Sequence, residues 1–141
     1  MFSKSCQYGI RAVLHLAVYS SEEKRLGVNE IAEKLEVPKH FLAKILQQLA
    51  KENLISSTKG PSGGFFLSQI NKESNLREIV EVLDVHHIFT DCILGLKECS
   101  AEKPCPLHFQ AYGIREGLNY QLQFQTIAEI AEKIVRTNLS I

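Results

Sequence analysis

The sequence contains no apolar run that approaches the roughly 20 residues needed to cross a membrane. The N-terminal segment is not expected to be a signal peptide, because Arg11 and His15 interrupt its apolar stretch and no small-residue cleavage site follows. Internal repeats, low-complexity tracts and long linkers are also lacking. The 141 residues therefore predict one compact unit, and we expect a cytoplasmic protein.

Features of an enzyme are equally scarce. No paired acid and base residues accompany the cysteines, and the glycine-rich stretch GPSGG does not follow the phosphate-binding pattern of a P-loop. We therefore expect a binding protein and no catalytic residues.

Cysteine is scarce, with four residues in the chain, but three of them lie within the fourteen positions from Cys92 to Cys105. Three cysteines do not make a complete disulfide framework, because one thiol is left over. In a reducing compartment, clustered cysteines more often bind metal or react. Gly95, Ser100 and Pro104 within this stretch, and Pro106 just after it, predict a loop.

The formal net charge of the chain is zero, but the positive and negative residues are unevenly distributed. Residues 1–75 carry ten Lys or Arg against seven Asp or Glu, whereas residues 76–141 carry six against nine. Between residues 37 and 72 there are five lysines and one acid, Glu52. A local positive excess of this kind can attract a polyanion, although lysine-rich surfaces often serve only solvation.

Periodic apolar residues predict helices along most of the chain. One helix is predicted around residues 10–18, two over residues 28–55 with Pro38 between them, and a long one from about Leu107 to Phe124. The stretch ISSTKGPSGGFFLS changes to a β-prone pattern around a glycine-rich turn, which predicts a hairpin. Two capping signatures, at residues 75–78 and 126–129, predict further helix starts.

The first part of the 28–55 segment fits the pattern of a helix-turn-helix. Counted from Val28, the six positions that must be apolar or small are Ile31, Ala32, Leu35, Val37, Leu42 and Ile45. The ninth position usually has glycine for a left-handed turn, and Glu36 departs from this. Two helices and a glycine-rich hairpin are typical of a winged helix, and an ordinary helical hairpin is the alternative.

Polar residues of this segment are candidates for DNA contact. Lysines would meet phosphates, while His40 and Gln47 could bond to base edges. In the wing, Lys59 is the main candidate. The predicted DNA-binding residues are Lys39, His40, Ala43, Lys44 and Gln47 on the second helix, and Ser57, Thr58, Lys59 and Ser62 in the wing.

The spacing C-x6-C-x5-C, followed by P-L-H, indicates a metal or cluster site. Structural zinc sites usually pair cysteines two to four residues apart, so these wider loops favour an iron–sulfur cluster. His108 is the nearest candidate for a fourth ligand, and a residue of a partner subunit is the alternative. Zinc bound by three cysteines and a histidine, or reactive thiols without metal, also remain open. Cys6 and His15 are interpreted as packing residues, and nothing in the spacing of His86 and His87 marks them as ligands.

Together the two predicted helices, the wing and the cysteine loop resemble the Rrf-type winged-helix transcription regulators, in particular the IscR- and NsrR-like iron–sulfur regulators. The segments that carry this resemblance are VNEIAEKLEVPKHFLAKILQQLAKENLI, SSTKGPSGGFFLS and the loop of Cys92, Cys99 and Cys105. Lys59 stands where the family commonly has arginine.

The resemblance implies a mainly α fold with a small β-hairpin wing, namely a winged helix-turn-helix plus a long dimerisation helix near residues 107–124. It implies a homodimer that binds a palindromic operator in double-stranded DNA. A two-iron or four-iron cluster would be held by Cys92, Cys99 and Cys105, close to the first helix of the other subunit. His108 matches the fourth ligand of some members, whereas others use a residue near the start of the first helix, where this chain has Gln7.

We therefore predict a DNA-binding region over residues 1–75 and a cluster-binding and dimerisation region over residues 76–141. The predicted function is transcriptional regulation, as a repressor whose operator affinity depends on a cluster that senses nitric oxide, redox state or cluster supply. The alternatives are a metal-free thiol switch or a zinc-containing regulator, and an iron–sulfur electron-transfer protein.

Overall fold

The computed structural model describes residues 2–84 and 87–141. Over these residues the chain forms seven helices and one two-stranded antiparallel hairpin, which confirms the predicted fold class. In chain order the elements are α1 (Lys4–Tyr19), α2 (Val28–Leu35), α3 (Lys39–Lys51), β1 (Ser56–Thr58), β2 (Gly64–Phe66), α4 (Gln69–Glu73), α5 (Leu76–Leu83), α6 (His108–Phe124) and α7 (Ile127–Thr137). None of the helices in this part of the chain combines the length and apolar character that a membrane crossing requires.

The helix-turn-helix is built as its apolar pattern predicts. All six patterned positions are buried, and they join one hydrophobic core with residues of α1, α5 and α7. The helix α1 packs against α2, α3, α5 and α7, so it lies at the centre of this core. Burial of these apolar side chains is the main stabilising contribution to the fold.

The turn between α2 and α3 accommodates Glu36 without glycine. Glu36 adopts the left-handed conformation, with φ 55° and ψ 46°, and its N–H donates to the carbonyls of Ala32 and Glu33. From α1, Arg11 donates a 2.8 Å hydrogen bond to the Leu35 carbonyl at the end of α2. Pro38 is the residue that precedes α3, where its missing N–H removes no helical hydrogen bond.

The wing consists of β1 and β2, with Ser56 opposite Phe66. Leu26 forms an additional antiparallel bridge to Phe65 on the outer edge. Gly64 is required here, because its φ is 155° and an added Cβ would lie 2.7 Å from the Leu26 carbonyl oxygen. The approach of the Leu26 backbone therefore anchors the wing to the segment between α1 and α2.

The short helix α4 was not predicted from the sequence, and it contains a buried polar residue. Asn71 exposes 6% of its surface. Its Oδ1 accepts hydrogen bonds from the Ser56 hydroxyl at 2.7 Å and from the Ser68 N–H at 2.9 Å. Its Nδ2 donates to the Asn53 carbonyl at 2.9 Å. One side chain thus joins the end of α3, the first wing strand and the start of α4.

We expect Asn71→Ala to lower the free energy of unfolding by about 2–3 kcal/mol, since several buried groups lose their partners at once. Urea denaturation followed by circular dichroism measures the change. Asn29→Ala, at an exposed position of α2, is the matched control and should change stability by less than about 0.5 kcal/mol. An equal effect of both substitutions would show that the Asn71 bonds do not hold the wing.

The C-terminal half begins with α5, which packs on α1 and α3. The two predicted capping boxes are confirmed, at residues 75–78 before α5 and at residues 126–129 before α7. The long helix α6 is confirmed, but its apolar residues are unequally buried. Leu118 and Leu122 are half-buried, whereas Tyr112 and Ile114 are 54% and 62% exposed. Only Ala111 of this helix is buried.

Candidate metal centre and nucleic-acid interface

The three clustered cysteines lie in an irregular segment, residues 91–107, which we call the cysteine loop. It connects α5 to α6, and Cys105 is its only buried residue. Backbone turns form at each cysteine: Gly95 N–H donates to the Cys92 carbonyl at 2.8 Å, Cys99 N–H donates to the Leu96 carbonyl at 3.4 Å, and His108 N–H donates to the Cys105 carbonyl at 3.1 Å. Local turns, rather than core packing, therefore set the path of this loop.

The turns bring the three sulfur atoms together. The Sγ atoms of Cys92, Cys99 and Cys105 all lie within 4.8 Å of one another, and those of Cys92 and Cys105 are 3.7 Å apart. The Nδ1 atom of His108, the first residue of α6, lies 3.2 Å from Cys99 Sγ. The Cys105 N–H donates to Cys99 Sγ at 3.4 Å. The three sulfurs thus form a single cluster of donor atoms, and the His108 imidazole lies beside one of them.

Local hydrogen bonds and burial shift the pKa values of Cys92 and Cys99 in opposite directions. The pKa of Cys92 is lowered to about 7, and its hydrogen bond with the backbone of Leu96 has the largest effect. Burial acts in the opposite direction, whereas hydrogen bonds with the Leu94 backbone and with the two neighbouring thiols lower the pKa further. For Cys99 the backbone of Cys105 has the largest effect and lowers the pKa, but burial and the two neighbouring thiols together raise it. A thiolate is the form that binds metal, so Cys92 is better prepared for ligation at neutral pH than Cys99.

Two arginines attach the cysteine loop and the segment before it to the helices. Arg115 of α6 donates a hydrogen bond to the carbonyl of Asp91, the residue before Cys92. Arg77 of α5 donates to Asn119 of α6 at 2.5 Å, and its guanidinium lies 5.7 Å from the ring centre of Phe89. Sequence reasoning missed these residues, because no local pattern marks a contact between positions 24 or 42 residues apart.

Candidate DNA contacts lie on the exposed side of α3. Lys39, His40, Lys44 and Gln47 are exposed, and Ala43 is half-buried. Positions 40, 44 and 47 share one face because they follow the four- and three-residue steps of a helix. The inner face is formed by the buried residues Leu42, Ile45, Leu46 and Leu49.

In the wing the predicted contacts are not equivalent. Ser57, Lys59 and Ser62 are exposed. The Thr58 hydroxyl is buried and has no hydrogen-bond partner among the residues that the structure describes. The Thr58 hydroxyl is therefore shielded from solvent, in contrast to the exposed residues of the wing.

The remaining candidates separate into packing residues and residues beside the loop. Cys6 is fully buried in α1, and burial, followed by the charge of Asp84, raises the pKa of its thiol to about 11. His15 is 7% exposed and lies against Tyr19 with ring centres 4.7 Å apart. Both positions confirm the packing interpretation. His87 is exposed, and His86 lies outside the described residues.

Residues 2–133 match the family model described as Rrf2, iron-dependent transcriptional regulator. A relative from Aquifex aeolicus that is named as an HTH-type transcriptional regulator is 32% identical over 110 residues, which cover 77% of this chain and 75% of the relative. The HTH-type transcriptional regulator NsrR of Geobacillus kaustophilus is 26% identical over 127 residues, which cover 89% of this chain and 86% of that protein.

Solved structures support the same fold. The structure of T. potens IscR matches with a TM-score of 0.75 at 20% identity, and the match covers 100% of this chain and 93% of that one. CymR, the global cysteine regulator of B. subtilis, matches with a TM-score of 0.74 at 20% identity over 94% of this chain and 97% of that one. The resemblance inferred from the sequence is confirmed: the chain belongs to the Rrf2 family of transcriptional regulators.

Proposed function

We propose that this transcriptional regulator is a homodimer whose affinity for a palindromic operator is controlled by an iron–sulfur cluster bound to Cys92, Cys99, Cys105 and His108. In this proposal it acts as a repressor. Residues 1–75 contact DNA, and residues 76–141 bind the cluster and join the subunits.

One observation carries this proposal, namely that the Sγ atoms of all three loop cysteines lie within 4.8 Å of one another. This donor set fits the group, because thiolates are the usual ligands of iron–sulfur clusters and histidine replaces cysteine in some two-iron clusters. The sulfurs are close enough to reach one common inorganic body. When bound, such a cluster supplies a centre that nitric oxide, oxidation or iron shortage can alter.

The residues of the chain explain why occupancy of this site would change the structure. Cys105 is the only buried residue of the cysteine loop, and Ile93, Leu94 and Leu96 are 62%, 49% and 52% exposed. Few apolar contacts therefore hold the loop, and segments of this kind open at low free energy. Ligation by three residues of the loop and by the first residue of α6 would fix the loop against that helix.

The DNA-binding half supplies the other part of the mechanism. A dimer of helix-turn-helix units contacts successive major grooves only if its recognition helices are about 34 Å apart. A change in how the loop holds α6 would change this separation and thereby the affinity. Coupling of this type is typically worth about 5- to 150-fold in an equilibrium constant.

Anaerobic reconstitution tests the proposal. The protein is incubated with iron, sulfide and a thiol reductant, and visible absorbance, iron and sulfide are measured per chain. Duplexes that bind are selected from a random-sequence library with the reconstituted and with the cluster-free protein, and their affinities are compared at one salt concentration. We expect a coloured protein with at least about fivefold different affinity in the two states. A colourless, iron-free protein that binds the selected duplexes with unchanged affinity would overturn the proposal.

A second function is favoured by the 3.7 Å separation of Cys92 Sγ and Cys105 Sγ. A peroxide could take two electrons from these thiols, with release of water, and leave a disulfide between the two sulfurs. Mass spectrometry of peroxide-treated, metal-free protein distinguishes this thiol switch, because a mass loss of about two hydrogens with altered DNA affinity would support it. Metal analysis of the protein as purified, before any metal is removed, separates both functions from zinc binding.

The proposed phosphate contacts of Lys44 and Lys59 give a prediction about salt. Each contact releases counterions and occurs once in each subunit of the proposed dimer, so each of the substitutions Lys44→Ala and Lys59→Ala should reduce the slope of log affinity against log salt by about 1.8. Fluorescence anisotropy with a labelled duplex over a range of potassium chloride concentrations measures the slopes. Lys133→Ala, at an exposed position of α7, should leave the slope unchanged. If this control lowers the slope as much as the other two, the proposed DNA face is wrong.

A further inference from the structure

Gly9 occupies the point where α1, α3 and α5 meet. An added Cβ at this buried position would lie 2.0 Å from Leu83 Cδ1 and 3.3 Å from Ile45 Cγ2. Leu83 is 3% exposed and Ile45 is 4% exposed. The absence of a side chain at Gly9 therefore lets the last residue of α5 fit against α1 beside α3. We call these three residues the glycine junction.

A glycine in the middle of a helix requires an explanation, because it forms helix less readily than alanine. Gly9 lies within the sixteen-residue helix α1 and does not have a positive φ. Close packing against Leu83 is the contact that only glycine permits at this position. Glycine at position 9 thus lowers the helix propensity of α1 but allows the end of α5 to pack closely against it.

The junction lies between the two functional parts of the chain. Leu83 ends α5, and the chain beyond it leads to the cysteine loop. Ile45 follows Lys44 on α3, the helix that carries the proposed DNA contacts. A second contact joins the same two helices, because Gln48 Nε2 donates a 2.7 Å hydrogen bond to the Val82 carbonyl. At the other end of α5, Arg77 lies against Phe89, which precedes the loop.

We propose that the glycine junction couples the position of α3 to the position of the C-terminal end of α5. A change in the cysteine loop then displaces the DNA-binding helix through the contacts among Leu83, Gly9 and Ile45. Leu83 and Gln48 are positioning residues in this proposal, because each acts through the contact between α5 and its neighbouring helices. This inference rests on the proposed function, because it requires two states of the loop. Packed interfaces of this type transmit small displacements because they are closely packed rather than freely deformable.

Four variants test the junction. Gly9→Ala forces the Leu83 side chain away, and Leu83→Ala opens a space. The double variant that combines these two substitutions places the new methyl group of position 9 beside the space that Leu83 Cδ1 occupied, 2.0 Å from the position of that atom. Gln48→Met removes the hydrogen bond at the surface without changing the core. Gln69→Met, at an exposed position of α4, is the control. For each variant, affinity for one selected duplex is measured for the reconstituted protein and for the cluster-free protein, and the ratio of the two affinities is reported.

We expect Gly9→Ala, Leu83→Ala and Gln48→Met each to reduce this ratio by at least about threefold, within the range that residues between coupled sites can contribute. The double variant should recover a ratio closer to that of the wild type than either single variant does. A merely structural role would change both affinities and leave their ratio unaltered.

The measured ratios distinguish failure of this inference from failure of the proposed function. If wild-type protein shows the ratio and Gly9→Ala and Gln48→Met retain it in full, the junction does not transmit the signal and the proposed function stands. If Gly9→Ala does not fold, as judged by circular dichroism, Gln48→Met alone decides. Equal affinities of the wild-type protein in its two states would overturn both.

Discussion

Cys92→Ala protein, purified and reconstituted without oxygen, is expected to be colourless and to contain little iron or sulfide. Removal of partners that only orient metal ligands already lowers metal affinity by about 10- to 100-fold, so loss of a direct ligand should lower cluster occupancy at least as much. The fold should persist, because the hydrophobic core contains no residue of the cysteine loop. Iron and sulfide assays, visible absorbance and far-ultraviolet circular dichroism measure these outcomes on one sample.

Cys6→Ala is the matched control, since it removes a thiol that is fully buried in α1. This variant should retain the colour of the wild type. His108→Ala tests the fourth ligand separately, because its imidazole lies 3.2 Å from Cys99 Sγ. Retention of a full cluster in His108→Ala, together with its loss in Cys92→Ala, would assign the fourth position to another residue. Retention in Cys92→Ala would contradict the proposed site itself.

The helix-turn-helix could be predicted from the sequence because its determinants are local. Burial at Ile31, Ala32 and Leu35 follows directly from helical periodicity, and the capping residues act on backbone groups three positions away. The position of the turn at Glu36 could also be predicted from the sequence. The pattern identified the position that needs a left-handed conformation, and the structure shows that Glu36 adopts it.

The features that the sequence did not reveal depend on contacts between distant residues. The Asn71 side chain bonds to Ser56, fifteen positions away, and to Asn53, eighteen positions away. An asparagine in a five-residue helix carries no periodic signal of such bonds. The site shows the same division. Their spacing in the sequence identified the three cysteines as candidate ligands, but their sulfur atoms come within 4.8 Å of one another because of the turns of the loop. The burial of the Thr58 hydroxyl likewise depends on how the wing folds.

The apolar face of α6 provides the remaining test, because the rest of the described chain, residues 2–84 and 87–141, leaves it exposed. On the side opposite Ala111, Phe109, Tyr120 and Phe124 are 64%, 60% and 65% exposed. The same side carries Gly113 and Gly117, where an added Cβ would meet nothing within 4 Å. Contiguous exposed apolar surface of this kind is typical of a protein interface, and in the proposed function a second copy of the chain covers it.

Tyr120→Glu is therefore expected to dissociate the dimer, because it places a charge in the middle of the buried face. Sedimentation velocity should show a dimer for the wild type and a monomer for the variant at the same concentration. Operator affinity should fall by about 10²- to 10⁴-fold, since each DNA-binding unit loses the effective concentration that the linked second unit provides. Gln121→Glu introduces the same charge on an exposed neighbour that faces about 100° away along the helix, and it should leave both measurements near those of the wild type. A monomeric wild type, or a Tyr120→Glu variant that remains dimeric, would show that α6 does not join the subunits. The spacing of the recognition helices would then have to be set by another surface.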